Sequence, residues 1–179
     1  MISWKKLSSE TEVENDYVTV KRNKVQLPDG AVIDDFYTLT IPDASLIVAL
    51  TSENEILLKR EYRYACLSEV IECPAGMVNQ GEEPEQTAKR ELLEETGYQS
   101  SDWTYLGSTW ESTSKLTNSM HLFVARNCVR ISTQHLDENE HLEVLKTTLE
   151  DAVKMVMNGQ INANSSCHAI LKVARILGV

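Results

Sequence analysis

The chain has 179 residues, of which 42% are hydrophobic and 25% charged, a composition typical of one soluble globular domain with a sizeable core. Its formal net charge of −10 argues against nucleic acid as a partner, because binding to a phosphate backbone requires clustered Lys and Arg. No apolar run is long enough to span a membrane, so we expect no membrane partner.

The cysteines and the N-terminus indicate the compartment. The four cysteines, Cys66, Cys73, Cys128 and Cys167, include no C-x-x-C pair, so a zinc site is not expected. Residues 1–14 lack the apolar segment and the cleavage pattern of a secretion signal. Free thiols in a reducing cytoplasm are the simplest interpretation of the cysteines.

The first elements along the chain are predicted to be strands. Residues 17–26 and 32–40 are expected to form a hairpin around a Pro-Asp-Gly turn at residues 27–30. Residues 44–51 are an unbroken apolar run, which is typical of a strand buried on both faces. The next two predicted strands cover residues 55–62 and 67–73.

The rest of the chain combines further strands with three helices. Helices at both ends of a set of strands predict an α/β fold in which a sheet is sandwiched between helices. Two of the helices are predicted from apolar residues at helical spacing near the C-terminus. The predicted strands are 103–110, 119–126 and 142–148, and the predicted helices are about 84–96, 149–158 and 163–177.

The first of these helices carries an unusual set of charges. Glu91, Glu94 and Glu95 stand at i, i+3 and i+4, so their carboxylates share one face and repel one another. A hard divalent cation would relieve this repulsion, because magnesium prefers oxygen ligands and often bridges phosphates. Arg90 can reach Glu94 or another glutamate and hold it. The alternative is an ordinary solvated helix rich in glutamate.

The sequence around this helix is similar to a known signature. Residues 76–98 read GMVNQGEEPEQTAKRELLEETGY, which resembles the Nudix hydrolase signature G-x5-E-x7-R-E-U-x-E-E-x-G-U, with U apolar, at every defining position. The resemblance implies a Nudix α/β/α sandwich with a mixed sheet, plus an N-terminal β-hairpin segment. It also implies Mg²⁺ or Mn²⁺ as cofactor and hydrolysis of a nucleoside diphosphate linked to another moiety.

Three further segments are similar to the ADP-ribose pyrophosphatase branch of this family. They are Glu61-Tyr62-Arg63, the run ECPAG at residues 72–76, and the run DENE at residues 137–140. This branch implies hydrolysis of ADP-ribose or a related nucleoside diphosphate sugar to a nucleoside monophosphate and a sugar phosphate. It also implies a homodimer that exchanges its N-terminal β segment, residues 1–43, around a Nudix domain of residues 44–179.

The resemblance assigns roles to individual positions. The implied metal ligands are the carboxylates of Glu91, Glu95 and Glu140 and the carbonyl oxygen of Ala75. The implied catalytic residues are Glu94 as a ligand or water-orienting group, Glu138 as general base, and Arg90 as the partner of a signature glutamate. The implied substrate-binding residues are Arg63 at the diphosphate, Trp4 against the base, and Gly76, where the backbone approaches the ligand.

Simpler interpretations remain for several of these residues. Trp4 could anchor a core or a dimer interface, because aromatic side chains are common at both. Arg63 could be a surface strand residue in an ion pair, and residues 137–140 could form a plain acidic loop. At the level of function, the alternative is a non-catalytic Nudix domain that binds a nucleotide sugar as a sensor. The complete set of signature carboxylates favours the enzyme.

One position departs from the branch pattern. ADP-ribose-specific relatives usually carry a proline about sixteen residues beyond the signature glycine, and here that position is Thr113 in a polar segment, residues 110–116. Proline restricts the backbone to one φ range, so its absence predicts a more adaptable loop. We therefore expect a broader range of nucleoside diphosphate sugars.

Overall fold

A computed structural model of the chain describes residues 3–179. These residues belong to two compact units. The first contains the residues up to Asp43 together with Trp110–Ser119, and the second contains Ala44–Thr109 together with Met120–Val179. Across the described residues, no helix is both long enough and apolar enough to cross a lipid bilayer.

The first unit contains a three-stranded antiparallel sheet in the order β1-β2-β3. Its strands are β1 (Lys5–Glu14), β2 (Thr19–Gln26) and β3 (Val32–Thr40). The hairpin β2–β3 agrees with the sequence prediction, whereas β1 is an additional strand. The sequence KKLSSETEVE has no apolar alternation, which agrees with the exposure of every residue of β1. Backbone pairing with β2 and ion pairs from Arg22 to Glu10 and Glu12 define this strand instead.

The polar segment that contains Thr113 belongs to the first unit. The N–H of Leu39 in β3 donates to the carbonyl of Lys115 at 2.8 Å, and the N–H of Thr117 donates to the carbonyl of Leu39 at 3.1 Å. The Lys115 ammonium lies 4.5 Å from the centroid of the Phe36 ring. This segment is therefore tied to β3 through backbone hydrogen bonds and a cation–π contact.

The second unit contains an eight-stranded mixed sheet and three helices. The strands are β4 (Ala44–Thr51), β5 (Glu55–Arg63), β6 (Ser68–Glu72), β7 (Ala75–Met77), β8 (Tyr98–Gln99), β9 (Asp102–Trp110), β10 (Ser119–Arg130) and β11 (Leu142–Thr148). Five strands follow the order β11-β5-β4-β10-β8, while β6, β7 and β9 pair with β5, β4 and β10 respectively. The pair β4–β10 is parallel, and β4 and β11 both run antiparallel to β5. The helices are α1 (Pro84–Thr96), α2 (Leu149–Met157) and α3 (Asn164–Leu177).

Alternate side chains of β4 pack against helices on opposite faces of this sheet, so helices cover both faces. Leu46 and Val48 pack with residues of α2 and α3, whereas Ile47 and Ala49 pack with Ala88 and Leu92 of α1. Because neighbouring side chains of a strand point to opposite faces, an unbroken apolar run is required when both faces are covered. The expected α/β/α sandwich with a mixed sheet is therefore confirmed.

The boundaries of α1 follow from local sequence. Pro84 occupies the first turn, and the Glu83 side chain accepts from the backbone of Gln86 while the Gln86 side chain accepts from the N–H of Glu83. Gly97 ends the helix at φ 75°, and a Cβ at Gly97 would lie 2.3 Å from the carbonyl oxygen of Ser132. The helix thus begins and ends where the sequence predicts.

Candidate active site

Two carboxylates of α1 lie against the backbone of β7. A Cβ placed on Gly76 would lie 1.9 Å from Oε1 of Glu91, so only glycine leaves room for this carboxylate. The N–H of Ala75 donates to Oε2 of Glu95 at 3.1 Å. Glu91 and Glu95 are 8% and 1% exposed, which is rare for glutamate unless the charge is compensated. Gly76 and Ala75 therefore position the two buried carboxylates.

Burial changes the proton affinity of both carboxyl groups. It raises the pKa of Glu95 to about 7, although Lys59 and the Ala75 N–H act in the opposite direction. Burial also raises the pKa of Glu91 above its ordinary value, against the opposing effect of Arg90. A cation that enters the site would favour the ionised form of both carboxyl groups.

Arg90 holds three glutamates and the loop that precedes α1. Its guanidinium donates two hydrogen bonds to Glu82 at 3.0 and 3.1 Å, one to Glu91 at 2.6 Å and one to Glu94 at 3.0 Å. A further hydrogen bond reaches the carbonyl of Met77 at 3.3 Å. The fork of hydrogen bonds from Arg90 lowers the pKa of Glu82 to about 2. Arg90 thus connects Glu94, as its i, i+4 spacing predicted, with two other signature glutamates.

A second cation, Lys59, was not predicted from the sequence. Its ammonium forms ion pairs with Oε1 of Glu95 and, at 2.9 Å, with Oε1 of Glu61. The signal for it lies in β5, where Leu57, Lys59 and Glu61 alternate onto one face. Because Leu57 packs against α1, the two charged residues that follow it point to the same side as Glu95. A lysine two positions beyond a buried leucine is the feature that could have identified this cation.

Arg63 lies at the end of the same strand, in an ion-pair network. Its guanidinium pairs with Glu72 at 2.6 Å and with Glu61 at 2.8 Å, and its side chain is 44% exposed. The ion-pair interpretation of Arg63 therefore describes its contacts in the structure. Contact with a diphosphate stays a prediction, which the partial exposure of the Arg63 side chain permits.

The acidic loop is attached to the last turn of α1. The side chain of Gln134 donates to the carbonyl of Glu95 at 2.7 Å, and the N–H of His135 donates to the carbonyl of Glu94 at 2.8 Å. Glu140 accepts from the N–H of Asp137 and contributes to the raised pKa of Glu91, whereas Glu138 is exposed. The loop therefore brings Glu140 into the electrostatic neighbourhood of Glu91. Gln134 is a second residue that the sequence analysis missed.

Trp4 lies in the first unit, whereas the other predicted site residues lie in the second. Its ring meets the ring of Phe36 edge-on, with 5.5 Å between the centroids, and half of the residue is exposed. Edge-to-face packing of this kind is a stabilising aromatic contact. Stacking of Trp4 on a base stays a prediction.

The donor chemistry of the second unit fits a hard divalent cation. All candidate ligands are carboxylate or carbonyl oxygens, and two of the carboxylates are buried against β7, where glycine leaves them room. Within residues 3–179 the side chains form no ready-made group of three or more His, Cys, Asp or Glu ligands. In the structure, Arg90 and Lys59 bind the oxygens that a metal ion would share.

Two family profiles match the chain. The NUDIX domain matches residues 40–165, and the nucleoside diphosphate sugar hydrolase N-terminal domain matches residues 4–39. Together they account for both the signature helix and the three-stranded sheet of the first unit.

Individual relatives agree with this assignment. The chain is 35% identical over 147 residues to an ADP-ribose pyrophosphatase of Bacillus subtilis, covering 82% of this chain and 79% of that protein. It is 29% identical over 167 residues to a methanol dehydrogenase activator of Bacillus methanolicus, covering 93% and 90%. A crystal structure of an ADP compounds hydrolase has the same fold, with a TM-score of 0.84, 23% identity, and coverage of 98% and 94%. The chain therefore belongs to the Nudix family and is a Nudix pyrophosphohydrolase.

Proposed function

We propose that this enzyme hydrolyses the diphosphate of ADP-ribose or a related nucleoside diphosphate sugar to a nucleoside monophosphate and a sugar phosphate. The profile of residues 4–39 and the Bacillus subtilis relative support the substrate class. The observation that carries the proposal is the position of Glu91 and Glu95, which are buried against the backbone of Gly76 and Ala75.

Nudix hydrolases use divalent metal ions, and we propose Mg²⁺ or Mn²⁺ here. The carboxylates of Glu91, Glu95 and Glu140 and the carbonyl of Ala75 would hold the metal. Such an ion neutralises the charge of a diphosphate and lowers the pKa of a bound water molecule. The support is the donor chemistry, since hard divalent ions prefer oxygen ligands.

The remaining residues bind the substrate or move a proton. Glu138, which is exposed on its loop, would accept a proton from the attacking water, and Glu94 would orient that water or serve as a ligand. Arg63 would contact the diphosphate and Trp4 would stack on the base. Arg90 would keep Glu94 in place, a role supported by its hydrogen bonds to three glutamates.

The N-terminal unit supports a proposal about assembly. All ten residues of β1 are exposed, although a strand in a small sheet normally buries one face. We propose a homodimer in which the N-terminal segment, residues 1–43, is exchanged and the Nudix domain spans residues 44–179. We also propose a cytoplasmic location, which the four free cysteines support.

The decisive experiment measures product formation with a matched pair of variants. Purified protein is incubated with ADP-ribose and Mg²⁺, and AMP and ribose 5-phosphate are separated by chromatography. Glu95→Gln should lower kcat/KM by at least about 100-fold, or about 2.7 kcal/mol of transition-state stabilisation. Glu85→Gln removes an exposed carboxylate of the same helix that pairs with Lys89, and its activity should stay near that of the wild type.

Adding a binding measurement to this experiment separates the enzyme from a sensor domain. A sensor would bind ADP-ribose in calorimetry but release no AMP at any metal concentration. Full activity of Glu95→Gln with Mg²⁺ would contradict the assigned role of this carboxylate.

A further inference from the structure

Lys59 is a buried cation beside a predicted metal ligand. The residue is 2% exposed, and the three residues that precede it in β5, Ile56–Leu58, are fully buried and apolar. Lysine is almost never buried to this extent unless an opposite charge compensates it, because removing an ammonium from water is costly. The position of Lys59 therefore depends on its carboxylate partners.

The ammonium of Lys59 shares Glu95 with the backbone of β7. Lys59 pairs with Oε1 of Glu95, while Oε2 accepts the Ala75 N–H, so both oxygens of this carboxylate are engaged. A second pair joins Lys59 to Glu61 at 2.9 Å, and Glu61 also pairs with Arg63 at 2.8 Å. Lys59 is thus held between two carboxylates, one of which belongs to the Nudix signature.

Two cations that share one carboxylate repel each other. A divalent ion bound through Glu95 would lie close to the Lys59 ammonium in a region that excludes water, where charges interact more strongly than in solvent. Lys59 also compensates the charge of Glu95 before any metal binds. Both effects reduce the free energy that the protein gains when an ion enters the site.

We propose that Lys59 is an internal counter-cation of the metal centre, which positions Glu95 and weakens the binding of a divalent ion by competing for Oε1. The inference rests on the proposed function only in taking Glu95 as a metal ligand. Lys59 is a positioning residue, because it acts through Glu95. The consequence of this competition is that the protein binds the ion with lower affinity than the signature carboxylates alone would provide.

The test is direct binding of Mn²⁺ to the full-length protein, measured by electron paramagnetic resonance of the free ion after removal of bound metals with a chelator. Lys59→Met removes the charge and keeps an unbranched side chain. Its Kd for Mn²⁺ should be at least about tenfold lower than that of the wild type, because the competing cation is gone. The metal-depleted variant should also melt at a lower temperature and gain more from added Mn²⁺.

Two matched variants serve as controls. Lys146→Met removes an exposed lysine of the adjacent strand β11 that pairs with Glu55, and its Kd for Mn²⁺ should equal that of the wild type. Lys59→Arg keeps the positive charge and should not tighten binding. A Kd for Lys59→Met that equals or exceeds the wild-type value overturns the proposal.

A second comparison covers the case in which Lys59→Met does not fold without metal. Glu61→Gln removes the other partner of the ammonium, so the double variant Lys59→Met/Glu61→Gln buries fewer unpaired charges. This double variant should bind Mn²⁺ at least about tenfold more tightly than Glu61→Gln alone, and equal affinities contradict the inference. The readout does not depend on turnover. Tighter Mn²⁺ binding without hydrolysis of nucleotide sugars would reject only the proposed function, and hydrolysis with unchanged Kd would reject only the role of Lys59.

Discussion

At the level of single residues, the site depends on backbone groups as much as on carboxylates. Gly76 leaves room for Glu91, and the Ala75 N–H fixes one oxygen of Glu95. Arg90 then joins Glu91 to Glu94 through one nitrogen. A change at a residue that carries no charge can therefore disturb the charged groups.

Gly76→Ala should separate activity from stability. The added Cβ would lie 1.9 Å from Oε1 and 2.7 Å from Cγ of Glu91, so the whole Glu91 side chain must turn away, and we expect the rest of the fold to stay intact. We expect kcat/KM on a nucleotide sugar to fall by at least about 100-fold, because a displaced carboxylate no longer acts in the site. The melting temperature should change by no more than a few degrees, on the order of a 1 kcal/mol change in stability.

Glu91→Gln provides the reference for this prediction. If Gly76→Ala acts only through Glu91, the double variant Gly76→Ala/Glu91→Gln should be no less active than Glu91→Gln alone. Additive losses would show that Gly76 has a further role, such as the close approach of the substrate to the backbone.

At the level of elements, local capping residues determine where α1 and α2 begin. The α1 helix uses Glu83, Gln86 and Pro84 at its start and Gly97 at its end. The α2 helix follows β11 without a connecting loop, and the Thr148 hydroxyl accepts the N–H of Asp151 at 3.1 Å. The chain therefore changes from strand to helix at Thr148, where this hydrogen bond caps the helix.

Thr148→Ala should destabilise the protein without affecting the site. Loss of the N-cap leaves the N–H of Asp151 without its side-chain acceptor, which typically costs about 1 kcal/mol in the free energy of unfolding. Urea denaturation followed by circular dichroism measures this difference. Thr148→Ser retains the hydroxyl and should stay within about 0.5 kcal/mol of the wild type. Equal losses in both variants would mean that the cap contributes nothing.

At the level of the whole molecule, the first unit carries exposed side chains that the proposed homodimer would cover. Strand β1 is exposed along its entire length, and Trp4 and Leu7 expose 50% and 42% of their surface. Leu7 lies in β1 and Trp4 directly precedes it, and exposed apolar side chains of this kind are compatible with an interaction surface. A second copy of the chain is the partner that the proposed exchange supplies.

The proposed homodimer can be tested by mass measurement in solution. Light scattering coupled to size exclusion should give twice the 20.2 kDa of the chain. Deletion of residues 1–40 should abolish both the dimer and hydrolysis, because it removes β1, β2 and β3 together. An active monomer, in either the full-length or the shortened protein, would rule out the proposed exchange.

Substrate range is predicted from the polar segment around Thr113, which belongs to the first unit. The absence of proline predicts that kcat/KM for ADP-ribose and for at least one other nucleoside diphosphate sugar differ by no more than about 100-fold. Both substrates are compared side by side under the same metal conditions. Thr113→Pro should widen the ratio if backbone freedom sets the range. A preference for ADP-ribose above about a thousandfold in the wild type would contradict this interpretation.

Features that depend only on neighbouring residues could be predicted from the sequence. The boundaries of α1 follow from its caps, the buried strand β4 follows from its apolar run, and the family follows from the spacing of the signature. The tertiary structure alone decided which distant groups meet. Lys59 pairs with Glu95, which lies 36 residues further along the chain, and β1 is a strand only through its pairing with β2. Periodicity indicates which face of β5 carries Lys59, whereas its pairing with Glu95 and the pairing of β1 depend on long-range packing.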